Sequence, residues 1–197
     1  IGLGFDGDDY LKDFWEYDPA TNQWTRKADH PVLITYASGL AADGMGYFAM
    51  GKVGSALSVK LVQYDPTSNN WQYLAPRPGD GSSMDSPGFA INGRLYIPAA
   101  TEMYEYNPAT NVWTRKSYPT ELGYFGGGAA FSINGKGYLG IGWVHERGAD
   151  VNDFFEYDPA SDKWTRKASF PGALRDNATS FSLPNGKGYV GMGLGKP

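Results

Sequence analysis

The chain has 197 residues, a formal net charge of −4 and a pI near 5.1, a balance that excludes a nucleic-acid or anionic-membrane surface built on clustered basic charge. It contains no cysteine, which removes disulfides, thiol nucleophiles and Cys-based zinc sites. No apolar run reaches the roughly 18 residues of a transmembrane helix.

Glycine (27 residues) and proline (13) are abundant, aromatics make up 15%, and no stretch shows apolar spacing at i, i+3, i+4, i+7. These features predict an all-β chain. In chain order, Ile1–Gly4 reads as the tail of a strand and Phe5–Lys12 as a loop. Phe14–Tyr17 is a strand closed by the turn Asp18-Pro19-Ala20-Thr21-Asn22, and a further strand runs through Trp24. The turn dipeptide Asp43-Gly44 then introduces Gly44–Phe48, a bland loop covers Lys52–Val59, and Trp71 follows. Asn92-Gly93 introduces Gly93–Ile97 and is followed by Trp113. An Asn-Gly or Asp-Gly pair between apolar runs signals a hairpin, because both central residues of a type I′ turn take positive φ.

The last full unit is the clearest. Phe125–Asn134 reads as a Gly-rich strand, Gly135 turns it into Tyr138–Gly142, and a loop spans Trp143–Asp150. Phe154–Tyr157 forms a third strand, Asp158-Pro159-Ala160-Ser161-Asp162 turns it, and a fourth starts at Trp164. Asn185-Gly186 then precedes Tyr189–Gly195. Glu156–Lys167 is a near copy of Glu16–Lys27, and Trp24, Trp71, Trp113 and Trp164 recur at steps of 47, 42 and 51 residues. Four strands in each period of 40 to 50 residues describe a propeller blade.

The predicted boundaries are a partial blade over 1–27, blades over about 32–75, 84–116 and 125–168, and a partial blade over 175–197. The tally is seventeen strands, one more than a four-bladed ring closed by strand exchange needs. The sequence therefore reads as part of a longer chain or assembly, with a four-bladed ring as the alternative. The glycines Gly137, Gly140, Gly142, Gly188, Gly191 and Gly193 are expected near the axis, where blades crowd. The aromatics of the third and fourth strands are expected further out as core.

A Gly-rich second strand, a Tyr-Asp-Pro turn and a Trp about six residues past the Asp resemble the kelch-repeat family, and the resemblance recurs along the whole chain. Gly140-Ile141-Gly142 and Gly191-Met192-Gly193 replace the family's usual Gly-Gly doublet. That variant is similar to bacterial kelch proteins related to the galactose-oxidase propeller and to sialic-acid mutarotases. The resemblance implies six or seven blades in a ring and leans towards a bacterial cell-surface or periplasmic setting.

Length varies almost wholly between the second and third strands, so the loops there are the expected recognition elements. The candidate binding face combines Asp6, Asp8, Asp9 and Tyr10 from the first loop with Trp143, His145, Glu146 and Arg147 from the last. Tyr124 and Arg175, from segments joining blades, complete it. Exposed aromatics beside carboxylates and an Arg suit a glycan or a polar peptide.

Other readings of these residues are weaker. The Asp6-Gly7-Asp8-Asp9 stretch lacks the full EF-hand spacing and its closing Glu, so no metal is assigned. His145-Glu146 lacks a partner that would complete a catalytic set. Arg175 could face the channel, as arginines do in the sialic-acid kelch enzymes, but Thr35, Ser82 and Tyr124 stand at the same distance after Trp, so no arginine ring exists. The Asn177-Ala178-Thr179 sequon falls in a predicted inner strand and is discounted. The expected function is a non-catalytic binding module without cofactor, presenting its loop face to a protein or glycan partner. The alternatives are a carbohydrate-active propeller enzyme with key residues elsewhere, or a structural assembly component.

Overall fold

The computed structural model describes residues 2–49, 51–53, 56–79 and 86–195. Ile1, residues 54–55 of the third loop and Ser82 lie outside them. The strands, in chain order, are β1 (Phe14–Asp18), β2 (Gln23–Lys27), β3 (Ser38–Ala42), β4 (Met45–Ala49), β5 (Lys52–Val53), β6 (Ala56–Leu57), β7 (Leu61–Asp65) and β8 (Asn70–Tyr73). They continue with β9 (Phe89–Ile91), β10 (Arg94–Ala99), β11 (Glu102–Asn107), β12 (Val112–Lys116), β13 (Phe125–Gly126), β14 (Ala129–Ile133), β15 (Lys136–Val144), β16 (Ala149–Asp158) and β17 (Lys163–Arg166). The C-terminal elements are β18 (Arg175–Asp176), β19 (Thr179–Leu183), β20 (Lys187–Gly191) and β21 (Leu194–Gly195).

Three antiparallel blades are complete: β3-β4-β7-β8, β9-β10-β11-β12, and β14-β15-β16-β17 with β13 also on β15. Pairs β1-β2 and β19-β20 stand before and after them. The first strands β3, β9, β14 and β19 pack in sequence along the axis. Three hairpins at Asp43-Gly44, Asn92-Gly93 and Asn134-Gly135 have positive φ at both central residues, as type I′ turns require.

The fourth hairpin differs from expectation. Pro184 cannot take positive φ, so Leu183 and Lys187 close a three-residue loop in which only Gly186 of the Asn-Gly pair has positive φ. The expected continuous strand Phe125–Asn134 is also interrupted. Gly127, at φ 61, ends β13 before β14 begins.

Aromatic wedges separate the blades. Tyr157 and Trp164 lie 5.0 Å apart and cover Phe89, which is itself stacked on Tyr96 at 5.4 Å. Tyr157, Tyr106, Phe89 and Phe155 are almost wholly buried. Burial and the neighbouring Asp162 raise the Tyr157 phenol far above its ordinary value, and burial pushes Tyr106 up to about 12. Both phenols therefore remain neutral donors.

The glycines answer this packing unevenly. A Cβ on Gly137 would lie 2.2 Å from the Phe89 ring, and one on Gly188 2.3 Å from Phe131, so both belong where one blade's aromatics press on the next. Gly140 and Gly142 meet backbone of their own blade. Gly191 meets nothing within 4 Å, because no third strand lies against β20 among the described residues as β16 lies against Gly140. The spaced-glycine variant has a physical reason. The middle residues Leu3, Ile141 and Met192 all take positive φ in a bulge that shifts the β15-β16 register.

The first junction encloses His30, 1% exposed, between Phe48 and Trp71, with Nδ1 2.8 Å from the Val32 carbonyl. Burial holds its imidazole below the ordinary value. The unfolded chain thus takes up the proton first, and stability falls as pH drops below about 6.5. The melting temperature should decline from pH 7 to 5, and His30→Phe should flatten that part of the profile. An unchanged slope would remove His30 as its source. Gly137→Ala forces the Phe89 ring aside, and we expect a loss of about 1–3 kcal/mol in denaturant unfolding.

Candidate functional site

Between second and third strands, β10 and β11 are joined by Ala100-Thr101 alone, while the other connections carry extensions. Phe5 bridges Tyr10, β5 pairs β6, and β15 and β16 run on past the bulge as far as Val144 and Ala149. Half of the expected loop Trp143–Asp150 is therefore ladder, with Trp143 opposite Asp150 and Val144 opposite Ala149. Only the 3-10 turn His145–Arg147 and Gly148 leave it.

That turn is fastened to the segment joining the second and third complete blades. His145 N–H donates to the Tyr124 carbonyl at 2.9 Å, and the two rings stack at 4.1 Å with planes 17° apart. Glu146 accepts the Tyr124 N–H on both carboxylate oxygens, at 2.9 and 2.8 Å. Arg147 donates to the Glu121 carbonyl at 2.8 Å and to Asp153 at 3.1 Å, and Arg166 also pairs with this buried carboxylate. Tyr118 donates to the Gly123 carbonyl at 3.0 Å, and its burial keeps the phenol protonated. Glu146 and Arg147 thus brace the turn that presents Tyr124, Trp143 and His145.

Tyr124, Trp143 and His145 line a recess of about 150 Å³ with Gly126, Gly127, Asp176 and Asn177. It continues through Gly127 and Asn177 into an axial depression of about 230 Å³, bordered on the far side by Tyr36, Ala37 and Ser38. Tyr36 and Ala37 also border a larger cleft of about 540 Å³ lined by Leu3, Phe5, Tyr10, Ile34 and Phe48. The axial mouth and both outer extensions therefore form one connected band on a single face.

The first loop reaches this band through Tyr10, whose ring lies 5.2 Å from Phe5. Asp6 Oδ1 accepts the N–H groups of Asp9 and Asp8 at 2.8 and 3.0 Å, and the Asp9 bond leads in lowering its pKa. Its oxygen closes the loop on itself. Asp8 and Asp9 are exposed beside it, and no metal-binding cluster occurs among the described residues.

Arg175 is placed differently from the spacing estimate. Thr35 bridges Lys52 as Gly126 pairs Trp143 and Asp176 pairs Leu194, so Ile34 and Phe125, not Thr35 and Tyr124, are the equivalents of Arg175. Its guanidinium donates to the Ala173 and Met192 carbonyls, both at 3.0 Å, and sits 5.0 Å over Phe170.

Tyr36, Gly127 and Asn177 occupy one equivalent position at the axial mouth and share positive φ of 57, 61 and 52°. The counterpart in the remaining blade lies outside the described residues. Tyr36, Asp176 and Asn177 escaped sequence reasoning because periods measured from Trp drift by one residue here. Alignment on the second glycine of each bulge finds them once the extra residue of the fourth hairpin is allowed for.

Residues 4–31 match the family described as Kelch motif. No curated protein matches the chain. The solved structure of YjhT is similar, with a TM-score of 0.76 and 17% identity over 93% of this chain and 70% of that one. The fold is that of a kelch-type β-propeller. Among the described residues, no helix is long and apolar enough to cross a membrane.

Because Glu146 holds the Tyr124 amide, Glu146→Ala should accelerate hydrogen exchange at Tyr124 and Gly123 at least tenfold while leaving the exchange of β14 and β16 unaltered. Unchanged exchange at Tyr124 would show that the ring stack alone orders the segment.

Proposed function

We propose that the chain is a kelch-type binding module whose axial face takes a glycan, the sugar seated against Tyr124, Trp143 and His145. The observation that carries this reading is the stacked Tyr124–His145 pair, which lines one recess together with Trp143, Asp176 and Asn177. Sugars present apolar ring faces and hydroxyls together, and a recess lined by both aromatic rings and oxygen-bearing side chains matches them. The bracing by Glu146 and Arg147 supports it, since a pre-ordered platform lowers the entropic cost of binding.

A propeller enzyme acting on an anionic sugar is the competing reading. It would need a cationic group free to meet the substrate. Among Lys and Arg, Arg175 is nearest the recess in sequence, and its guanidinium already serves two carbonyls and the Phe170 ring. This disposition favours a module that binds without turning its ligand over.

Saturation-transfer NMR against a panel of neutral and acidic oligosaccharides tests the proposal. At least one class should bind, and Tyr124→Ala should weaken it about tenfold, equivalent to 1.4 kcal/mol. Absence of saccharide binding, or binding indifferent to Tyr124→Ala and Asp176→Asn, would refute it. Conversion of a bound sugar to another anomer would transfer the case to the enzyme.

A further inference from the structure

The second and third complete blades meet at a step. In the second, Ala99 pairs with Glu102, so only Ala100 and Thr101 stand outside the ladder. In the third, β15 and β16 run on past the bulge to Val144 and Ala149 before the turn His145–Arg147 closes them. The short connection leaves the flank of the long one uncovered. Thr101 from one blade and Val144, Glu146 and Arg147 from the other line a notch of about 350 Å³, with Thr120 and Gly123 of the joining segment between them.

This notch and the axial recess share a wall. Gly123 and Glu146 line the notch, while their chain neighbours Tyr124 and His145 line the recess. The wall is firmly built. His145 N–H donates to the Tyr124 carbonyl, and Glu146 accepts the Tyr124 N–H. Gly123, at φ 59°, permits that contact, because a Cβ there would lie 2.6 Å from Glu146 Oε2. Beneath it, Leu122 packs with Phe125 and Val144 in the core. His145, Glu146 and Arg147 are exposed, so the crest of the wall is open to solvent and a ligand can lie across it.

The notch offers hydrogen bonds without a ring to stack on. A carboxylate has about four acceptor sites and a guanidinium five N–H donors. Glu146 spends its oxygens on one N–H group, and Arg147 spends donors on Asp153 and the Glu121 carbonyl, so both keep capacity in reserve. Thr101 and Thr120 add exposed hydroxyls. The charge is already matched or negative: Arg147 shares Asp153 with Arg166, and Glu121 lines the notch beside Glu146. An anionic group would meet two carboxylates here, whereas a hydroxyl can both donate and accept.

We propose that the notch is a second sugar subsite. A neutral glycan of two or more units seats one unit in the recess, crosses the Tyr124–Glu146 wall and places the next unit in the notch. This rests on the glycan reading of the recess and narrows it to uncharged saccharide chains. Once the first unit is seated, the second binds at high effective concentration, so a weak subsite still adds affinity.

Amide-shift mapping by NMR tests the subsite on the 197-residue chain. The probes are glucose, mannose and galactose, their oligosaccharides of two to four units, and disaccharides carrying a uronic acid. A monosaccharide should move the Tyr124 and His145 amides alone. The neutral disaccharide of the same series should also move Thr101 and Thr120 and bind at least tenfold tighter, a gain its uronic-acid counterpart lacks. Thr101→Trp should fill the notch, return the disaccharide to the affinity of the monosaccharide and leave the monosaccharide unaltered. The mapping itself needs no variant. Affinity independent of chain length, a silent Thr101 amide, a preference for the acidic disaccharide, or indifference to Thr101→Trp would overturn the subsite and leave the recess standing. Silence at Tyr124 towards every saccharide would overturn the glycan reading, and the subsite with it.

Discussion

The architecture rests on one side-chain oxygen placed in a backbone conformation that few residues tolerate. Asn69, Asn111 and Asp162 stand at the end of the turn after each third strand with φ between 51 and 56°. Short polar side chains accept that left-handed region. From there the oxygen takes the hydroxyl of the preceding Tyr and the peptide N–H of the previous blade, while the Trp two residues on takes that residue's carbonyl. One residue of each blade is thus gripped at both backbone groups by its successor. A buried Tyr is tolerable only because this oxygen satisfies it, and a Trp beside it fills the space where the sheets diverge.

The pattern was readable where it repeats. The period, the turn dipeptides, the Tyr-Asp-Pro turns and the Trp positions gave the blades, because every copy solves the same packing problem with the same residues. What escaped depends on neighbours that sequence spacing does not contain. Gly137 and Gly140 look alike along the chain, yet Gly137 faces an aromatic ring from the adjacent blade and Gly140 the backbone of its own. Asn185-Gly186 resembles the other hairpin dipeptides until Pro184 forbids their turn. Arg175 sat one position out of register because the lengths from Trp to the first strand differ between blades.

The candidate face shows the same division. Variation in length drew attention to the connections between second and third strands, but their form was not evident. The last is a prolonged ladder that carries Trp143, whereas Tyr10 is held by a single bridge to Phe5. Tyr36, Asp176 and Asn177 were missed because they are ordinary residues until the blades bring them round a common axis. Glu146 and Arg147, chosen as binding groups for their charge, spend that charge on the backbone of Tyr124 and on Asp153. Their contribution to the face is its rigidity.

Every grip in this molecule reaches only one blade forward, from Ala28 to Trp71, from Ala75 to Trp113 and from Ser117 to Trp164. The parts on either side of each grip are interchangeable, and Glu156–Lys167 nearly duplicates Glu16–Lys27. A gene of this kind can gain or lose a whole blade between two equivalent codons without composing a new interior. Ring size is then an adjustable inheritance, and the diameter of the axial mouth, with the dimensions of whatever enters it, can change in single genetic steps.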